Sequence, residues 1–247
     1  MVLENFTEIF NLIANPNSIL EGLKTSQLGT ESHFGLLFGF FFIYFFVTKA
    51  NKKFTIWAFV FLIIAFKRIA IAASILSVII YLIYRNSKFT KSVKLNANLL
   101  MFFSLMLFMF LLINLSLGVY DTWIKDNIGL SANHFTMGRA QMYKRVLENL
   151  EVGFIGTGQG TVTEFLEGLN FKKMNRLHSD FLRNHIEIGF GFYTIWILLF
   201  NKLNIFNLKA LVILVYYWVV LVTDNAFIYF DFLALFYMIQ TIFYEEK

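Results

Sequence analysis

The sequence predicts an all-α, polytopic membrane protein with about seven transmembrane helices and one large polar loop on the extracytoplasmic side. Three observations predict it. The 247 residues are 58% hydrophobic and 19% aromatic with a single proline, far above the apolar share of an ordinary soluble domain. Several apolar runs approach or reach bilayer-spanning length, which argues against a soluble bundle with a large core. Lys and Arg, 21 against 16 Asp and Glu, gather in short loops between those runs, so the basic excess reads as membrane orientation rather than nucleic-acid binding. The absence of cysteine excludes disulfides, thiolate nucleophiles and Cys-based metal sites. Four histidines without HExxH-like spacing argue against a metal centre, so no cofactor is expected.

In chain order, residues 1–33 form an extracytoplasmic or interfacial segment with four Glu and one Lys. Its acidic lead, MVLENFTEIF, is unlike a secretory signal peptide. Phe6, Ile9, Phe10 and Ile13 have helical spacing, and Ser18 with Glu21 forms a capping box after the Asn15-Pro16-Asn17 turn. Residues 34–119 carry crossings one to four. The first covers 34–47 and leads to the basic TKANKK stretch. The next run, 54–84, is apolar except for Lys67 and Arg68. A single helix there would span about 46 Å, too long for a hydrocarbon core of about 30 Å. Two helices in a hairpin put Lys67 and Arg68 at an outer apex, with basic cytoplasmic loops on either side. Residues 99–119 cross outward.

Residues 120–187 form the extracytoplasmic loop, in which eight basic and eight acidic residues cancel. Residues 188–247 carry crossings five to seven, read as 188–200, 211–222 and 226–244, with Thr223-Asp224-Asn225 turning outside. The three inner loops hold nine Lys or Arg and no acid.

Chemistry is expected in the loop, which contains His134, His178 and His185 with Arg139, Arg145, Arg176 and Arg183. Residues 137–150 have helical spacing, with Met137, Ala140, Tyr143, Val146, Leu147 and Leu150 facing the membrane domain. Arg139 and Arg145 lie about 240° apart on such a helix, so one is a solvated surface charge. Gly153, Gly156, Gly158 and Gly160 suit an approach of backbone N–H groups to a phosphate, and equally an ordinary loop. In HSDFLRNHIEIG, His178, Leu182 and His185 share one helical face, while Asp180, Arg183, Asn184 and Glu187 share another. The second face reads as a solvated, self-paired helix end. An Arg in or near the bilayer core costs roughly 2.5 kcal/mol or more, so Arg68 is a functional candidate, with Asp231 or Asp224 as its partner.

The order of these features resembles the O-antigen polymerase and O-antigen ligase superfamily. The features are Lys67-Arg68 at an outer apex, Gly138-Arg139 early in a large loop, Gly156 to Gly160, and His178 through Leu182 to Glu187-Ile188-Gly189. The resemblance runs from about residue 54 to 231. Family members carry Ser-Arg at the apex and His-Asn in the loop, where this chain has Lys67-Arg68 and His178-Ser179. They also have more helices, which implies that N-terminal helices of the full family fold are missing here. The resemblance implies a metal-independent glycosyltransferase of the bacterial cytoplasmic membrane, working at its outer face on a polyprenyl-diphosphate-linked oligosaccharide such as an undecaprenyl diphosphate conjugate. It implies leaving-group stabilisation by Arg68 and Arg139 and general-base assistance by His178. Arg183, Lys67, Arg145, Gly158, Gly160 and Asp224 are assigned to substrate binding. Membrane lipid, a flippase and a chain-length regulator are the candidate partners.

Polymerisation of repeat units into capsule, exopolysaccharide or O-antigen is the first reading. A ligase moving finished glycan to a lipid or other acceptor is the runner-up. A non-catalytic transporter component would instead distribute polar groups through the helices at mid-bilayer depth.

Overall fold

The computed structural model describes residues 33–245 apart from 87, 130, 137 and 170–176. The N-terminal amphipathic helix, the capping box, Met137 and Arg176 lie outside the described residues. All regular structure among the described residues is helical. It comprises α1 (Phe34–Val47), α2 (Lys52–Ile64), α3 (Arg68–Tyr84), α4 (Lys91–Ser116), α5 (Asp121–Ile128), α6 (Ala132–Phe135), α7 (Arg139–Asn149), α8 (Thr161–Gly168), α9 (Asp180–Glu187), α10 (Phe190–Asn204), α11 (Leu208–Thr223), a 3-10 turn (Ala226–Ile228) and α12 (Phe230–Glu245).

The centre is α11. Its apolar residues run all round the helix, and 210–218 and 220–222 are buried, as a helix without a polar face must be. It touches α1, α3, α9, α10 and α12. Asn207 starts it by accepting from Ala210 N at 2.8 Å, while the Asn207 amide donates to Phe243 O of α12 at 2.9 Å. Trp218 Nε1 donates to Asn201 Oδ1 of α10 at 2.7 Å. On the α1 side Gly39 lies directly under the Tyr216 ring, and Tyr216 donates its hydroxyl to Leu36 O at 2.8 Å. A side chain at residue 39 would occupy the space of the phenol.

The 54–84 run is broken where the two charges predicted a break. Phe66 takes a left-handed φ of 48° and Lys67 is extended, so α2 ends and α3 begins with Arg68. The two helices then diverge: α2 lies along α1, and α3 lies along α11 and α1. Other boundaries move. α4 starts at Lys91, eight residues before the expected crossing, because Thr90 caps it by accepting from Val93 N at 3.4 Å. α10 runs on to Asn204, and the segment expected as the last crossing opens with the 3-10 turn rather than α-helix. Among the described residues one helix, α4, is long and apolar enough to cross a membrane; α1, α3 and α11 are shorter apolar helices.

Gly39→Val is expected to cost about 1–3 kcal/mol by driving Tyr216 off Leu36. Tyr216→Phe, which keeps the ring, should cost about 1 kcal/mol. Thermal unfolding in detergent followed by circular dichroism measures both, and a Gly39→Val protein as stable as the parent would contradict the close approach.

Candidate functional site

The site is built around the end of α11. Thr223 closes the helix and Asp224 follows in extended conformation, with only 5% of its surface exposed. Lys67 Nζ lies 2.5 Å from Asp224 Oδ2. Asn225 N donates to Oδ1 at 2.8 Å, and His178 Nδ1 faces the same oxygen from 3.8 Å. Burial works to raise the Asp224 pKa, but His178, Lys67 and the Asn225 N–H outweigh it and hold the carboxyl well below the usual range. Arg139, the first residue of α7, donates from Nη1 to Thr223 O at 2.9 Å. Asp180 N donates to Asp224 O at 3.2 Å. Three separated stretches of chain therefore converge on two consecutive residues.

His178 is placed by its backbone. Tyr143 of α7 donates its hydroxyl to His178 O at 2.5 Å, and burial pushes the Tyr143 pKa up, which preserves that donor. The Nδ1 edge is buried toward Asp224, while the side chain keeps 36% of its surface exposed. His178 is not on the helical face expected for it. Ser179 caps α9 by accepting from Leu182 N at 3.1 Å, so His178 precedes the helix. Ser179 is thus a helix cap.

The charged face of α9 is self-paired, as its spacing predicted, but it is not solvated. Asp180 and Glu187 are buried. Asp180 Oδ1 pairs with Arg183 Nη2 at 2.9 Å, and Asp180 Oδ2 accepts from Phe227 N at 2.7 Å. Burial pushes the Asp180 pKa up to about 6, against the lowering effect of the Phe227 N–H and Arg183. Arg183 Nε also lies 3.9 Å from Glu187 Oε2, and Glu187 Oε1 accepts from Val162 N at 3.2 Å, at the positive end of α8. Arg183 is therefore neutralised between two buried carboxylates, which corrects its assignment to substrate binding.

His185 is wholly buried. A carbonyl only accepts, so the 2.8 Å contact to Phe181 O puts the ring proton on Nδ1. Phe181 and Tyr193 enclose the ring at 4.6 and 4.5 Å between centroids, and burial lowers its pKa to about 4. It is a neutral core residue.

The glycine-rich stretch is a clamp on α9 rather than a phosphate cradle. Gly156, Thr157 and Gly158 donate their N–H groups to Ile188 O at 3.2 Å, Ile186 O at 3.0 Å and Glu187 O at 3.1 Å. These are the carbonyls that a helix end leaves unmet. A Cβ on Gly156 or Gly189 would collide with the opposing backbone. The assignment of Gly158 to substrate binding is corrected because its donor is spent. Gly160, at φ 93°, is the turn into α8. Arg145 is exposed on the side of α7 away from Arg139, because the buried face of that helix is Ala140, Met142, Tyr143 and Val146; it is the solvated member of the pair. Asp224 pairs with Lys67 rather than Arg68, and Asp231 is exposed in the first turn of α12. Arg68, half-buried, directly follows Lys67. His134 is exposed on α6.

The structure thus brings together Lys67, Arg139, His178 and Asp224, with Arg68 next to Lys67 in the chain, and leaves out Arg145, Gly158 and Gly160. Sequence reasoning missed the roles of Tyr143, Asp180 and the Thr223 carbonyl. Asp180 had a signal in its place two residues after His178; a backbone carbonyl has none. An apolar groove of about 740 Å³ between α3, α4 and α11, lined by Ile80, Leu100, Leu105, Val215 and Val219, reaches Thr223. Among the described residues no three His, Cys, Asp or Glu side chains form a metal-binding group. Comparison with family models, curated proteins and solved structures finds no match.

Two buried groups on α9 give opposite pH dependences. Asp180, raised to about 6, contributes stability that is complete below its unfolded pKa near 4 and is lost as pH rises through 6. His185, lowered to about 4, costs stability as pH falls from its unfolded pKa of about 6.5 toward 4. Each amounts to about 3 kcal/mol, so they largely cancel. Melting temperatures between pH 4 and 7 should therefore change little in the parent protein from these two groups. They should fall on acidification in Asp180→Asn and rise on acidification in His185→Gln. Parallel pH curves for all three proteins would contradict the assignment.

Proposed function

We propose that this chain is a polytopic membrane glycosyltransferase of the O-antigen polymerase and ligase type, which extends a polyprenyl-diphosphate-linked oligosaccharide into a surface polysaccharide at the outer face of the cytoplasmic membrane. The observation that carries the reading is the meeting of Lys67, Arg139 and His178 at Thr223-Asp224, with Arg68 the next residue along. The resemblance had grouped these residues before any geometry joined them. The apolar groove ending at Thr223 supports an isoprenoid tail lying beside this cluster.

Membrane insertion is supported by the exposed apolar faces, such as Leu100, Phe103, Leu107 and Phe110 of α4 and Phe192, Ile195 and Leu199 of α10. It is also supported by where the charges lie. Lys67 at the start of α3 meets Asp224 at the end of α11, and Tyr81 near the end of α3 donates to Val47 O at the end of α1. Lys49, Arg85 and Lys209 therefore cluster at the far end from His178, as cytoplasmic loops require. This segregation also favours an interfacial enzyme over a transporter.

The chemistry follows from the arrangement. Asp224 faces Nδ1 of His178, which orients the ring with its other nitrogen toward the open side and steadies the imidazolium formed on proton transfer. His178 takes the proton of the attacking sugar hydroxyl. Arg139 and Arg68 neutralise the departing diphosphate. Lys67 holds Asp224 in place, a positioning role in addition to the expected contact with substrate. Direct displacement gives inversion at the anomeric carbon.

In a strain lacking its own copy, His178→Ala and Arg139→Ala are expected to reduce surface polymer by roughly 100-fold or more, with protein levels in the membrane unchanged. Polymer of normal amount and length from His178→Ala would overturn the site. The deletion strain separates the two acceptor readings: a polymerase leaves lipid-linked single repeat units, a ligase long lipid-linked chains.

A further inference from the structure

We propose that Phe154 and Ile155 form an apolar wedge that dips into the surface layer of the lipid bilayer beside the first turn of α10, and so fixes the height of α9 above the membrane. The inference rests on the membrane reading above. These two residues are adjacent, in a loop, and 70% and 74% exposed. Two adjacent side chains of that size form a contiguous apolar projection, the kind of surface that marks a membrane or partner contact when it joins a larger patch.

The segment is firmly seated. Phe190 N donates to Gly153 O at 2.8 Å and Gly191 N to Phe154 O at 3.1 Å, while Gly156 N donates to Ile188 O at 3.2 Å. The backbone at 153–156 is therefore stapled across the α9–α10 junction, and the side chains point out because the backbone is spent inward. The Phe154 ring lies over Gly191, where any Cβ would strike it. Residue 191 is one helical turn from Ile195 of α10, which is exposed. Phe154 thereby extends the exposed stripe of Phe192, Ile195 and Leu199 past the end of α10. A stripe that faces lipid along α10 continues at its outer end into the zone of glycerol and upper acyl chain, where aromatic and aliphatic anchors belong. Lipid is the occupant because the wedge is continuous with a lipid-facing stripe and lies at its outer limit.

The consequence reaches the site. Gly156, Thr157 and Gly158 grip the last carbonyls of α9, and α9 begins at Ser179-Asp180, next to His178 and bonded to Asp224. Anchoring the wedge sets the height at which His178 meets a diphosphate held at the membrane surface.

The chain lacks cysteine, so single-cysteine variants take one spin label each. Phe154→Cys and Ile155→Cys would be labelled with a nitroxide in phosphatidylethanolamine–phosphatidylglycerol vesicles, and collisions with oxygen and with a water-soluble nickel chelate compared. Leu107→Cys on the exposed face of α4 is the deep reference and Gln159→Cys, exposed in the same loop, the aqueous one. Labels at 154 and 155 are expected to favour oxygen over nickel, at a depth between the two references. Collision behaviour at both positions matching Gln159, with Leu107 lipid-like, overturns the wedge and leaves the membrane reading intact. Nickel-accessible labels at Leu107 overturn both. Spin–spin broadening at 154 that vanishes on dilution with unlabelled protein assigns the patch to a second copy, and also overturns the proposal.

Discussion

An ionised carboxylate with almost no exposed surface needs a counter-charge at contact distance, and removing one partner of such a pair costs about 3–5 kcal/mol. At the end of α11 the carboxylate is Asp224 and the counter-charge is Lys67. The pair ties the break between α2 and α3 to the end of the central helix, and the cluster assembles around that tie. His178 faces the same carboxylate, Arg139 binds the carbonyl one residue earlier, and Asp180 binds the backbone of Asp224 itself. Because α11 is held by α1, α3, α9, α10 and α12, groups fastened at its end inherit its position.

The second organising feature is the buried ionic string on α9. Asp180, Arg183 and Glu187 neutralise one another in sequence, and the string ends on the N-terminus of α8. Each carboxylate also meets a need elsewhere: Asp180 holds Phe227 N after α11, and Glu187 holds Val162 N. A short helix thereby connects the Asp224 turn with the glycine-rich clamp, although it has few residues with which to pack. His178, immediately before α9, is fixed from both directions, by Ser179 capping the helix and by Tyr143 bonding its carbonyl.

Much of the helical layout was legible because it depends on local quantities. Apolar runs with charged punctuation located α1, α10, α11 and α12 to within a few residues, and the cost of two adjacent cations inside an apolar run located the break at Lys67. The i,i+3 and i,i+4 spacing on α9 correctly indicated self-pairing. It carried no information on burial, because the same spacing serves a face in water and a face against Phe227 and Val162. The glycines were misassigned for a similar reason: close backbone approach is a property of glycine, but which backbone approaches is decided by the fold.

The sequence by itself determined an all-helical chain with its charge segregated, one polar loop, and the residue types able to move a proton and neutralise a diphosphate, because composition and periodicity act over a few residues at a time. Tertiary structure alone decided the pairings. Asp224 went to Lys67 and His178 rather than to Arg68, Arg183 was absorbed between carboxylates, His185 was sealed among aromatic rings, and Arg145 was turned to solvent. These outcomes depend on which charges meet after helices distant in sequence have packed. Burial makes each such meeting strongly favourable or strongly costly, and residue spacing along the chain does not encode it.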